Sequence, residues 1–208
     1  MSRWDLHDVE FVGVPYPLRG YAHGLLFDLI GYMRASRPIL PDEHVGGLLV
    51  SEEQPAYHLA TARLVNRPND PEHPSMLRFV DHKATPESGF PARLFAAHVM
   101  ALASRARTPA RRAAMFRTAL ALVPPSDEPE TEDPRGNANN WSALFGLGNA
   151  LLDLGRVDEG LDTLSRAAQA SPRAMRSLAE YYREAIGRGE FPPPEKDPRS
   201  RFWSTLGT

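Results

Sequence analysis

The sequence predicts a mainly α fold: helical hairpins in the second half, preceded by a less regular N-terminal region that includes a short β-prone run. Three observations lead to it. Residues 141–172, WSALFGLGNALLDLGRVDEGLDTLSRAAQASP, hold two apolar-periodic segments joined at Gly155-Arg156. Leu144, Leu147, Leu151 and Leu154 lie on one segment, and Val157, Leu161, Leu164 and Ala168 on the other, which is the pattern of a helix, a short turn and a second helix. Helical patterns also occupy 92–105 and 109–122. By contrast, residues 66–90 carry Pro68, Pro71, Pro74 and Pro86 among turn formers and read as mostly irregular.

In chain order, Val9, Phe11, Val12 and Val14 make the β-prone run, ended by Pro15-Tyr16-Pro17; a short strand or an extended arm fits it. Residues 18–33, rich in Leu, Ile, Phe and Tyr, read as a mostly buried helix stopped before Pro38. Gly20, Gly24 and Gly31 within it suggest another backbone packed close. A connection with a short apolar segment at 45–50 follows. Residues 54–65 suit a helix through Tyr57, Leu59, Ala60, Ala62 and Leu64, and 76–80 suit a strand or one helical turn. Thr108 is placed to cap the helix that Pro109 begins.

Within the hairpin, Gly148 and Gly160 each cost roughly 1 kcal/mol relative to alanine, and close approach of the two helices is the packing reason that offsets them. Residues 174–186 form a further helix, ended by Gly187 and Gly189. The Pro-rich tail, 188–208, carries Phe202-Trp203, too apolar for a free end to expose. It either folds back onto the helices or inserts into a partner. Trp4 with Phe11 reads as core or edge packing, and Tyr181-Tyr182 as capping of the helical stack.

Leu144, Leu147, Gly148, Leu151, Leu164, Ala167 and Pro172 together resemble the tetratricopeptide repeat, a 34-residue helical hairpin. The sequence departs from the family at Leu144, Leu151, Gly160 and Leu164, each apolar or small. Setting Pro124 against Pro172 aligns Phe116 with Leu164 and Ala119 with Ala167. These prolines stand 48 residues apart, and taking out the 14 residues of 125–138 leaves the 34-residue period. The resemblance therefore implies repeats at 91–124 and 139–172 and a capping helix at 174–186, within a short right-handed solenoid over 91–187 that follows an unassigned region, 1–90. The inserted segment 125–138 is acidic and Pro-rich, and reads either as a flap that attracts a basic partner or as a solvated linker.

In that family the first helices of successive repeats line a groove that takes peptides or helices. The resemblance places Phe145, Asn149, Leu152, Arg176 and Arg183 on such a groove, with Ala97, Ala101 and Ala179. Gly148-Asn149 looks like the pair with which some members clamp a C-terminal carboxylate. Phe145 replaces their lysine, however, and Glu180 stands where a further cation is needed, so the implied groove is mixed apolar and polar.

Composition narrows the functional classes. The chain has 208 residues, 42% hydrophobic and 24% charged, with a formal net charge of −2. Nothing in that balance calls for nucleic acid or an acidic membrane surface. With no cysteine there is no thiol nucleophile and no zinc-thiolate site. Of 24 basic residues only Lys83 and Lys196 are lysine, which suggests a GC-rich, bacterial coding bias. The N-terminus, MSRWDLHDVEF, does not read as a signal peptide, and no run is long enough to span a membrane, so a cytoplasmic protein is expected. No P-loop, GxGxxG after a strand, GxSxG or HExxH occurs. His7, His23, His44, His58, His73, His82 and His98 lack ligand spacing and read as loop histidines, and no metal or cofactor is expected. The reading is an adaptor or scaffold subunit that binds a protein or peptide. The alternative is an enzyme, or an obligate enzyme subunit, with its site in residues 1–90 and its repeats used for assembly.

Overall fold

The structure, a computed structural model, describes residues 8–45, 59–71, 75–81, 89–124 and 140–206. Among these the chain is mostly helical, with one small mixed sheet in the N-terminal half. It divides into two compact units, Met1–Val99 and Met100–Thr208, and the division falls inside α2 (Ala92–Arg105).

The first unit holds β1 (Asp8–Glu10), a 3-10 turn (Tyr16–Leu18), α1 (Arg19–Ala35), β2 (His44–Val45), β3 (Ala60–Asn66), β4 (Ser75–Asp81) and the first part of α2. The strand order is β1-β4-β3-β2, with β1 parallel to β4 and the other pairs antiparallel. Glu10 of β1 accepts from Arg78 Nε of β4 at 2.7 Å and from Arg67 Nη2 at 2.7 Å. Phe79 of β4, Phe95 of α2 and Phe11 form one aromatic contact group on the sheet, with Phe11 5.9 Å from Phe79 and 5.1 Å from Phe95.

Two expectations change in this unit, and one open alternative is resolved. Residues 60–66 are a strand, not the end of a helix over 54–65; residues 54–58 lie outside the described set. Ala60, Ala62 and Leu64 recur at a spacing of two, which serves a strand face as well as a helical run, and pairing of Thr61 with Val80 and Leu64 with Leu77 decides it. Of the strand or helical turn expected at 76–80, the structure has the strand, β4, whose Met76, Leu77, Phe79 and Val80 are buried on both faces, as a central strand requires. Helix α1 is buried on one face only, through Leu25, Leu29 and Met33, while Phe27 is 69% exposed. Its Gly20 and Gly31 have open space beside them, and only Gly24 faces a close neighbour, the His98 imidazole.

The second unit holds the rest of α2, then α3 (Pro109–Leu122), α4 (Asn140–Asp153), α5 (Val157–Ala170), α6 (Pro172–Gly187) and α7 (Pro198–Thr205). Thr108 caps α3, its hydroxyl accepting from Arg111 N at 3.4 Å. Helix α4 ends at Gly155 (φ 75°), where Arg156 N donates to Leu151 O and Gly155 N to Leu152 O. Helix α6 ends at Gly189 (φ 75°) with the same pair of bonds, Glu190 N to Ala185 O and Gly189 N to Ile186 O. Both are Schellman closures, for which glycine supplies the left-handed residue. Where α4 and α5 cross, a Cβ on Gly148 would lie 3.0 Å from Gly160 O, and one on Gly160 would lie 3.0 Å from Gly148 O. The two backbones touch there because neither position carries a side chain.

Candidate partner-binding face

The residues that the sequence assigns to a partner groove lie on α4 and α6, with Ala97 and Ala101 on α2, and the structure seats α7 against α4, α5 and α6. The eight-residue α7 starts at Asp197, whose carboxylate accepts from Arg199 N at 3.3 Å and Ser200 N at 3.4 Å. Pro198 supplies the first-turn φ without a wasted donor. The helix packs on α6 and α5. Its Trp203 is fully buried in one cluster with Leu144 of α4, Leu164 and Ala167 of α5, and Met175 and Ala179 of α6.

Trp203 stacks on Tyr182, with centroids 4.6 Å apart and ring planes 9° from parallel, and meets Phe145 edge-on at 5.9 Å. Burial pushes the Tyr182 phenol above its ordinary pKa, partly countered by the charge of Arg199. One turn before Trp203, Arg199 Nη2 donates to Asp153 Oδ1 at 2.5 Å. The other oxygen of Asp153 accepts from Arg112 Nη2 of α3 at 2.6 Å. A single carboxylate at the end of α4 thus ties α3 and α7 to one point.

The groove residues expected from sequence do not line one open channel. Phe145 is half-buried against Trp203 and Trp141, and the Leu152 side chain packs over Gly160 in the same cluster. Asn149 Nδ2 donates to Phe145 O at 3.0 Å, so its amide is used within α4. Ala179 is fully buried. Arg176 is exposed, and with Arg173, Ser177 and Glu180 it lines an open depression of about 400 Å³. Arg183 is half-buried, 3.5 Å from Leu206 O at the end of α7. Phe202 is half-buried beside Trp203, at 5.0 Å. Of the two fates that the sequence left open for Phe202-Trp203, the structure has the tail folded back.

Asp153, Tyr182 and Arg199 were not among the expected site residues. The Arg199 to Trp203 spacing of four, which puts both on one helical face, was the signal for Arg199; Tyr182 was read with Tyr181 as a cap of the stack, and Asp153 carried no local signal. Among the histidines, His44 Nδ1 lies 3.1 Å from Thr61 Oγ1, and His98, 7% exposed, lies 3.3 Å from Asp28 Oδ2 through Nδ1. Trp4, His7, His58, His73, His82 and the acidic segment 125–138 lie outside the described residues. Among those described, no group of three or more His, Asp or Glu side chains is arranged to hold a metal ion, and no helix is long and apolar enough to cross a membrane. No protein-family model, curated protein or solved structure matches this chain.

Proposed function

We propose that this chain is a cytoplasmic protein-interaction module, an adaptor or scaffold subunit that binds a protein or peptide through the α4–α6 face of a TPR-like helical stack. In this reading α2–α3 and α4–α5 are the two hairpins and α6 caps them. The seat of α7 is the observation that carries the proposal: α4, α5 and α6 together bury a short helix by its aromatic side chain. The contact of Gly148 with Gly160 supports the repeat assignment, since small residues are needed where that family brings its two helices together. Arg176, with Arg173, Ser177 and Glu180, lines an open polar depression on the exposed side of α6, a second surface that a partner can reach.

The test is affinity capture with tagged full-length protein from the source organism, run beside an Arg176→Glu variant. Asn149 is the poorer choice, because its amide already serves the α4 backbone. Arg176 is exposed, so reversal of its charge should leave the melting temperature within about 1 °C of wild type. Capture of one dominant partner that falls at least tenfold with the variant supports the reading. A partner retained in full by Arg176→Glu removes the α6 rim from the binding face.

A further inference from the structure

We infer that the α4–α6 seat recognises short helices carrying an arginine and, one turn later, a bicyclic aromatic, and that α7 occupies it as a tethered competitor of a separate partner protein. The inference rests on the adaptor reading and names the chemistry of the partner. Every group that receives α7 comes from outside α7. The arginine site is Asp153, already held by Arg112 of α3 at 2.6 Å, so its carboxylate is aimed before a ligand arrives. The aromatic site is walled by Tyr182, Phe145, Met175 and Leu164, from three different helices. Arg199 and Trp203 stand four residues apart, the spacing that sets both on one side of a helix. A helix from another chain with the same two groups meets the same two sites.

Two features make α7 replaceable. At eight residues it is too short to hold its helical form without the seat. It also fits imperfectly: the Trp203 indole N–H and Arg199 Nε are buried with no hydrogen-bond partner among the described residues. A dry donor opposes docking by its lost hydration. The tail holds the seat because the short linker 188–197 keeps its local concentration high. A partner helix that is longer than α7 and brings its own acceptor to the indole N–H carries no such penalty.

The test uses the full chain with Trp203→Ala and a labelled peptide of residues 196–206, followed by fluorescence anisotropy. The variant should bind the peptide saturably and at least tenfold more tightly than wild type, whose own tail competes. Peptides with Trp203→Ala or Arg199→Glu should bind at least tenfold more weakly. Replacement of the peptide's Trp203 by 2-naphthylalanine, of similar shape but without the N–H, should tighten binding about fivefold or more. A variant of unchanged far-UV circular dichroism that ignores the peptide, or binds the Trp203→Ala peptide equally well, overturns the inference. If Trp203→Ala does not fold, Arg199→Glu loosens the tail with the core side chains kept; affinity no greater than wild type then overturns it. A wild-type dimer formed by exchange of tails between two copies overturns assignment of the seat to a separate partner. Peptide binding without any captured partner would defeat the adaptor reading, and with it the separate partner, but not the chemistry assigned to the seat; capture through Arg176 without peptide binding would defeat this inference alone.

Discussion

At the scale of single residues, Gly148 and Gly160 show how an absent side chain can fix a helix crossing. A Cβ on Gly148 would lie 2.8 Å from Leu164 Cγ, and one on Gly160 would lie 2.8 Å from Leu152 Cγ, besides the carbonyl contacts. Alanine at either site gains about 1 kcal/mol of helix propensity and loses about 1–3 kcal/mol to overpacking. Gly148→Ala or Gly160→Ala should therefore destabilise the protein by up to about 2 kcal/mol by urea denaturation, whereas Gly31→Ala, beside open space in α1, should stabilise it by about 0.5–1 kcal/mol. A rise in stability for Gly148→Ala would contradict the crossing. The same residues mark what the sequence could reveal. Close approach at Gly148 and Gly160 was legible because the leucine pattern on both sides had already placed two facing helices. In α1 the same inference failed at Gly20 and Gly31, because a glycine says nothing by itself about which neighbour, if any, it admits.

At the scale of elements, the helices were readable and the strands were less so. Helices α2 and α3 run over the expected residues because their ends carry local chemistry, such as the Thr108-Pro109 start. Strand β3 has no such punctuation at its first residue, and Ala60, Ala62 and Leu64 satisfy two periods at once; the turn formers after Asn66 announced a break, but not which strand β3 pairs with across it. The seat of α7 was half legible. Phe202-Trp203 announced a tail that must be covered, but Tyr182 and Asp153 become its partners only once α4 and α6 are in place. Tyr182 supplies a pH test of that packing. Its phenol titrates near 10 when unfolded, and burial raises it in the folded state. Below about 10 both states hold the proton and stability does not change. Above that value the unfolded chain releases a proton that the folded one keeps, so stability falls as pH rises. Urea midpoints at pH 9 and pH 11 should drop less for Tyr182→Phe than for wild type, while the stack on Trp203 persists. Equal drops would mean that the phenol is not held in the buried state described.

At the scale of the whole molecule, each unit carries its own core. Leu25, Leu29, Leu77, Phe79 and Phe95 are buried in the first, and Leu144, Leu164, Met175, Ala179 and Trp203 in the second. Compact units with their own buried residues open at free energies of their own. The tail belongs entirely to the second, so a partner that displaces α7 acts on α4–α6 without unfolding the sheet. Removal of the fully buried indole by Trp203→Ala should cost about 3–5 kcal/mol where it is felt. Hydrogen exchange read by mass spectrometry should then quicken by about a hundredfold to several thousandfold in α6 and the end of α5. Peptides covering Ala60–Asn66 and Ser75–Asp81 should keep their wild-type protection. Protection lost equally in those strands would show one cooperative body, in which α7 could not be exchanged without the cost of unfolding the sheet as well.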